Sequence, residues 1–405
     1  MRMVISFSAL FLSVILLQVS SGGVGPLDAL TGLSLGFTKG EVGLLGSSHF
    51  IGFFVGCWWA PRIMGGVGHS RGFAVFAAMG AIGLIGHTLI AHPIAWAGLR
   101  ILTGMCIAGC YTVIEAWLQS KVTNETRGRA MSAYRSIDLG ASLVSQMLIG
   151  SLVSMETYVA YNLLTLLCCA SLLPLALTKV EQPKTTVMPK LHPLLAMRRS
   201  PLAVVGVIVA GLSTAAYRMV GPIYGDGVGL TPGQIGIFLS LFVAGGAVAQ
   251  FPAGWLADRY DRRWVLFWVS VLSIAACLVS ANTSGLEFVL AASFLFGFAT
   301  FPIFSIAAAH AHDFTTSDER IELSAALMFY YAVGAIASPV IASRLIDAAG
   351  PASFFWFIAI GHLALALYGL ARMRVRDTVE DRTPYVYAPR TSFTIGRLLR
   401  RFRDR

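Results

Sequence analysis

Charge is what this chain has least of. Only 12% of its 405 residues are charged, about half the share of a soluble globular domain, where it is near 25%. That leaves too little polar surface to cover a water-facing globule, so the composition excludes an ordinary soluble domain. There is no Gly-x-x-x-x-Gly-Lys-Ser/Thr loop, which excludes direct drive by nucleotide hydrolysis. There is no His-Glu-x-x-His pair and no strand-to-helix nucleophile elbow, and no other catalytic cluster stands out, so the chain does not read as an enzyme. The six cysteines (Cys57, Cys106, Cys110, Cys168, Cys169 and Cys277) all fall in apolar stretches. Thiols placed so usually just pack; neither a disulfide nor a bound metal or other cofactor is expected.

What the chain has is apolar length: 56% of its residues are hydrophobic and the mean hydropathy is +0.72. A membrane-crossing helix needs about 20 largely apolar residues. Such blocks recur twelve times, at 3–22, 43–63, 72–91, 93–118, 129–153, 157–177, 201–224, 233–256, 264–281, 285–309, 322–344 and 353–371. Barrel strands would be shorter and alternating. The first block resembles a signal peptide in its Met1-Arg2 start, but it is long for one and many spans follow, so it is counted as span 1.

The net charge of +10 is unevenly placed. Alternate loops collect Arg62, Arg71, Lys121, Arg127, Arg129, Lys179, Lys184, Lys190, Arg198, Arg199, Arg259, Arg262, Arg263 and Arg320; the others hold Lys39 and little else, with Arg344 at a helix end. Basic loops stay in the cytoplasm. The expectation is a multi-pass protein of a bacterial inner membrane with both termini cytoplasmic.

The longest internal polar stretch, 179–200, divides the spans six and six. The expected organisation is a six-helix bundle over 1–178, a cytoplasmic linker over 179–200, a second bundle over 201–372 and a basic tail over 373–405. A short repeat supports the division. Asn124-Glu125-Thr126-Arg127 and Leu139-Gly140-Ala141-Ser142 match Ser317-Asp318-Glu319-Arg320 and Val333-Gly334-Ala335-Ile336, about 193 residues later. In the tail, Ile395, Leu398, Leu399 and Phe402 recur at helical spacing among arginines. Two readings stand: an amphipathic helix on anionic membrane lipids, or a disordered basic tail. Without a folded module beside it, the tail does not read as a nucleic-acid binder.

Between spans 8 and 9 runs Gly254-Trp-Leu-Ala-Asp258-Arg259-Tyr-Asp261-Arg262-Arg263. It resembles the loop signature of the major facilitator superfamily, Gly-x-x-x-Asp-Arg-x-Gly-Arg-Arg, departing at Asp261. The first-half counterpart, from Pro61 to Arg71, has Gly65 where the aspartate belongs. Span 4 opens Leu99-Arg100-Ile-Leu-Thr-Gly104-Met-Cys-Ile-Ala108, similar to the family's fourth-helix motif. Ile114 to Leu118, Asn124 to Tyr134 and Gly297 to Ile303 look like the YcaD-like branch. The resemblance implies an all-α membrane protein, with twelve transmembrane helices in two pseudo-symmetric six-helix bundles, that moves a small molecule by alternating access. It further implies a cytoplasmic gate of Asp258, Arg259, Arg262, Asp313, Glu115, Arg127 and Arg129. There Arg262 or Arg259 would pair with Asp313, and Glu115 with Arg62, Arg71, Arg127 or Arg129. The bland alternative is that these are topology-setting charges.

The same resemblance implies that spans 1, 4, 7 and 10 line a cavity, helped by 2, 5, 8 and 11. Polar groups there are Gln18, Arg100, Arg135, Asp138, Tyr217, Arg218, Gln250, Tyr330 and Tyr331. An arginine inside a span faces a cavity or a partner; for Arg100 the partner would be Asp28. Arg135 and Asp138, three apart on one helix face, form either a structural pair or a functional one. Tyr330 and Tyr331 are walls or packing. Asp28, Asp138 and Arg100 are the candidates for proton coupling, since a carboxylate in a low-dielectric setting can load and release a proton. His49, His87 and His362 sit singly on apolar spans, as packing histidines do. The function expected is proton-coupled transport of a small organic solute, with export favoured over uptake, by a monomer in contact with membrane lipids. The alternative is a transporter-like sensor or assembly partner that no longer transports.

Overall fold

The computed structural model describes residues 2–122, 127–177, 191–283, 285–316, 318–375 and 385, without the side chains of 2–6, 120, 127 and 128. Most of the linker and nearly all of the tail, with both readings of it, lie outside the described residues.

Among the described residues every regular element is a helix, and twelve helices are long and apolar enough to cross a membrane. Contacts divide the chain into two compact units: Met1–Met188 with Gly229–Ser240, and Pro189–Val228 with Leu241–Arg405. In the first unit the helices are α1 (Arg2–Ser34), α2 (Lys39–Val67), α3 (His69–Gly86), α4 (Pro93–Lys121), α5 (Arg127–Met147), α6 (Ile149–Ser154), α7 (Thr157–Ala170) and α8 (Leu172–Ala176). Then follow α9 (Pro193–Arg199), α10 (Pro201–Gly227), α11 (Pro232–Arg259), α12 (Arg262–Asn282), α13 (Leu286–Asp313), α14 (Arg320–Ala349) and α15 (Ala352–Met373). Helices α5 and α6 share the span Arg129–Ser154, and α7 and α8 the span Thr157–Ala176. At the second join the Ser171 hydroxyl donates to the Cys168 carbonyl at 2.7 Å, a local bond of the kind that bends a helix.

The first span is longer than its apolar block. Helix α1 runs past the serines and glycines at 20–23, through Pro26, to Ser34. A helical proline strips the carbonyl four residues back of its donor. Here Gln146 Nε2 donates to the Gly22 carbonyl at 2.9 Å, as a helix in lipid requires of a freed backbone group. The extension carries Asp28 into the helix and buries it.

A repeat absent from the short matches above shows at the helix starts. Gly36 and Gly229 both take positive φ, 85° and 82°, open to glycine at little cost. Two residues on, Thr38 and Glu41 exchange bonds between side chain and backbone at the start of α2; Thr231 and Gln234 do the same at α11. These are capping boxes, again about 193 residues apart. The glycines of the helix crossings keep the offset. A Cβ on Gly52 or Gly104 would meet the backbone of the facing helix in the α2–α4 crossing, and one on Gly245 or Gly297 would do so in the α11–α13 crossing. Without a hydrophobic drive between helices in lipid, close backbone approach holds them together. Gly104→Val is therefore expected to abolish folded protein, read as loss of the monodisperse peak in detergent. Gly98→Val, where a Cβ meets open space, is expected to leave that peak intact.

Candidate functional site

Two buried polar nodes lie in the first unit. In one, Asp28 of α1 accepts from the Tyr161 hydroxyl of α7 at 2.5 Å. Its second oxygen lies 3.3 Å from Arg100 Nε of α4 and 3.5 Å from Nε2 of His87, the residue capping α3. Asp28, His87 and Arg100 are each no more than 2% exposed. Trp96 covers the node: its ring lies against His87 and its indole N–H donates to the Ile90 carbonyl. The structure thus sets Arg100 against Asp28, the alternative to a cavity-facing arginine. A buried charge this far into a helix is tolerable only beside its opposite.

In the other node the Tyr111 hydroxyl of α4 sits 2.6 Å from Gln18 Oε1 of α1 and 2.6 Å from Asp138 Oδ1 of α5. Arg135 reaches the other Asp138 oxygen at 3.4 Å. A phenol has one proton to donate. Either the Gln18 amide turns its NH2 to the phenol oxygen, or a proton sits on Asp138. The four groups span three helices of one unit, and Asp138 is wholly buried.

Glu115, also buried, takes the Tyr134 hydroxyl at 3.1 Å and pairs with none of Arg62, Arg71 and Arg129. Arg62 donates to the Trp58 carbonyl of its own helix at 2.8 Å and lies over the Trp58 ring. Arg71 and Arg129 are exposed. The side chain of Arg127 lies outside the described residues.

In the second unit Arg262, 1% exposed, binds both oxygens of Asp313 at 2.6 Å. It also donates to the carbonyls of Ala309 at 2.9 Å and Ala257 at 3.3 Å. Of the two arginines named for Asp313 it is the one used; Arg259 lies over Trp255. Asp258 stands 3.7 Å from Arg262 and accepts the backbone N–H of Tyr385 at 2.7 Å. The Tyr385 ring comes within 3.0 Å of where a Cβ on Gly254 would sit, so the glycine and aspartate of the loop signature dock one residue of the tail. Asp261, the departure from the signature, caps α12 by accepting from Arg263 N at 3.0 Å and pairs with the Arg263 side chain.

The other candidates are dispersed. Tyr217 donates to Ser293 at 2.6 Å and stacks on Phe242 and Phe296. Arg218 is half-buried in α10. Gln250 bonds back to the Gly246 carbonyl of its own helix. Tyr330 and Tyr331 pack on the apolar core of the second unit.

The short helix α9 is tied down by Arg199, which meets Glu319, the residue capping α14, at 2.7 Å. The bond from Arg199 holds the Glu319 carboxyl below the usual range. A lowered carboxylate contributes stability above its unfolded value, about 4.3, and loses it as pH falls through the lower folded value. Hydrogen-exchange protection in α9, taken relative to the intrinsic amide rate at each pH, is therefore expected to hold near neutrality and to fall in acid below about pH 4. Glu319→Gln is expected to show the acid behaviour at pH 7; an unchanged α9 in that variant would sever the link.

Twelve membrane-length helices, with repeated glycine crossings and buried charge within the spans, have the architecture of a transmembrane transporter. The family model for the Major Facilitator Superfamily matches residues 10–227 and 203–403, and the chain belongs to that superfamily. An uncharacterised MFS-type transporter of Enterobacter sp. (strain 638) is 26% identical over 353 residues, 86% of this chain and 89% of the relative. The uncharacterised MFS-type transporter YcaD of Escherichia fergusonii is 28% identical over 313 residues, 76% and 80% of the two chains. In fold, a point mutant of the nucleoside transporter NupG superposes with a TM-score of 0.77 at 12% identity, covering 90% of this chain and 98% of that one. A bacterial homologue of the human lysosomal transporter Spinster gives 0.69 at 14%, covering 93% and 98%.

Sequence reasoning missed the tyrosines that join the nodes, Tyr111, Tyr134 and Tyr161, and it set His87 aside. A tyrosine in an apolar helix carries no charge to draw the eye. Its signal is that a buried hydroxyl needs a partner, and here the buried acids Asp28, Glu115 and Asp138 each meet one.

Proposed function

We propose that the protein is a proton-coupled secondary transporter that moves a small organic solute by alternating access, more in the export than the uptake direction. It would act as a monomer in a bacterial inner membrane, with both termini in the cytoplasm. The two-bundle division expected from the sequence is part of this proposal. So are the substrate-cavity and gate assignments, and the contact of the basic tail with anionic lipid.

One observation carries the proton-coupling part: the fold is repeated but the charges of the two nodes are not. About 193 residues on from Gln18 and Tyr111 stand Gly211 and Phe304, and 194 on from Asp138, the offset of the Leu139/Val333 match, stands Ala332, next to Tyr331. There Phe304 meets Tyr331 ring to ring, and a Cβ on Gly211 would strike the Tyr331 backbone. From Asp28, His87, Arg100 and Tyr161 the same step leads to Gly221, Ser280, Ser293 and Phe354. The second unit packs these junctions with glycine, serine and aromatic rings, so helix packing does not demand ionisable groups. Intramembrane acids beside arginines are expensive and accompany ion or proton pathways.

Gly65, in place of the loop aspartate, favours the rival non-transporting reading. The test is proton movement in reconstituted vesicles loaded with a pH dye and challenged with a panel of small metabolites and drugs. Substrate-dependent acidification or alkalinisation, lost in Arg100→Ala, is the expected result. Silence in this assay and in solute counterflow across the panel would give the case to the rival.

A further inference from the structure

His87 reads in sequence as a packing histidine; its surroundings give it other work. Its Nδ1 lies 2.6 Å from the Gly83 carbonyl, one turn back. A carbonyl only accepts, and 2.6 Å is too short for a ring C–H, so Nδ1 carries a hydrogen. The neutral ring therefore turns a bare Nε2 toward Asp28 Oδ2, 3.5 Å away. Both atoms are buried and neither makes a hydrogen bond. Two lone pairs facing each other out of water repel, and a single added proton converts the repulsion into a charge-assisted bond.

We propose that His87 and Asp28 together form a proton-binding site, in which one proton taken from solvent is held as Nε2–H between the imidazole and Asp28 Oδ2. This rests on the proton-coupled reading above and deepens it by naming the carrier. The balance is simple. With His87 neutral, the charges of Asp28 and Arg100 cancel; with the proton on, the node carries a net charge of +1. No other covalent change takes place.

The groups around His87 suit this task. Asp28 comes from α1, Arg100 from α4 and Tyr161 from α7. Glu41 of α2 is engaged with Thr38 at its own helix start. Helix α8, Leu172–Ala176, has no titratable residue. The Tyr161 ring lies parallel to the imidazole, 5.1 Å between centroids and 11° between planes, and Trp96 lies 4.8 Å away on a tilt. Stacking on Tyr161 and the tilted contact with Trp96 hold the imidazole plane, and aromatic faces favour a cation. Arg100, held beside the same carboxylate, opposes loading, which sets up the competition that release requires. The second unit has Ser280 at the equivalent position, so a helix end here folds without an imidazole.

Trp96 supplies the test, because an indole against an imidazole reports its charge by fluorescence. The chain has 8 tryptophans, so the signal is wild type minus Trp96→Phe, in purified full-length protein without substrate. A sigmoidal pH dependence over the range in which the protein stays folded is expected in wild type and is expected to vanish in His87→Gln and Asp28→Asn. A titration that survives in His87→Gln, or no Trp96-dependent change across that range, overturns the proposal. Should Asp28→Asn not fold, histidine-15N NMR of the wild type decides. One resonance set, missing from His87→Gln, should keep its Nδ1 proton throughout and gain an Nε2 proton on acidification; an Nε2-protonated neutral ring overturns the proposal. Transport plays no part in these measurements. A Trp96 titration combined with no proton movement in vesicles would retire the coupled-transport reading and leave the proton site standing.

Discussion

Arg262→Ala is expected to destabilise the second unit by about 3–5 kcal/mol, the usual cost of stripping one partner from a buried ion pair. The guanidinium is 1% exposed and ties α12 to the end of α13 through Asp313 and the Ala309 carbonyl. Without it a nearly buried carboxylate loses its guanidinium and two carbonyls lose a donor. A large fall in Tm of detergent-purified protein is the measurement. A companion variant separates structure from gating. A buried pair replaced on both sides by apolar residues is often neutral in stability, so Arg262→Met with Asp313→Leu is expected to recover most of the lost Tm. If that double variant also transports at the wild-type rate, the pair holds the fold and is no gate. If it is stable but slow, the gate assignment gains its support. A single Arg262→Ala variant as stable as wild type would contradict the burial argument itself.

Asp138→Asn is expected to cut substrate-linked proton movement by more than about tenfold, equivalent to about 1.4 kcal/mol in the barrier, while solute counterflow continues. Asparagine keeps the shape and can still meet the Tyr111 hydroxyl, but it cannot take up a proton. A single phenol proton faces both the Gln18 oxygen and an Asp138 oxygen at 2.6 Å, so the node is completed either by a turned Gln18 amide or by one more proton. Tyr111→Phe should act in the same direction but less, since it removes the relay and leaves the carboxyl. Wild-type proton movement in Asp138→Asn would remove this acid from the pathway and leave the Asp28 node as the candidate.

Much of the architecture was legible because lipid imposes it. Twelve long apolar blocks have one helical outcome when no backbone group can bond to solvent, and each block corresponds to a span in the structure. The repeat was legible only in part. The short match near residues 124 and 317 was visible, while Gly36-x-Thr38-x-x-Glu41 and Gly229-x-Thr231-x-x-Gln234 become persuasive once both are seen to cap helices. The end of span 1 was misplaced at its serines and glycines. In water those residues stop helices; here Gln146, 124 positions away in α5, satisfies the Gly22 carbonyl that Pro26 frees.

Composition and spacing thus determined that this chain lies in a membrane, how many times it is long enough to cross, and which loop and helix motifs place it in its superfamily. Those follow from local rules, since hydrophobic length and helix signals are read within one segment at a time. Only the tertiary structure decided that Arg100 answers Asp28, that Tyr111 joins Gln18 to Asp138, that Asp313 belongs to Arg262, and that a histidine on an apolar helix faces a carboxylate. The reason is physical. A charge inside a helix must find its partner on whichever helix packs beside it, and that packing brings together residues as far apart in the chain as Asp28 and Tyr161, 133 positions.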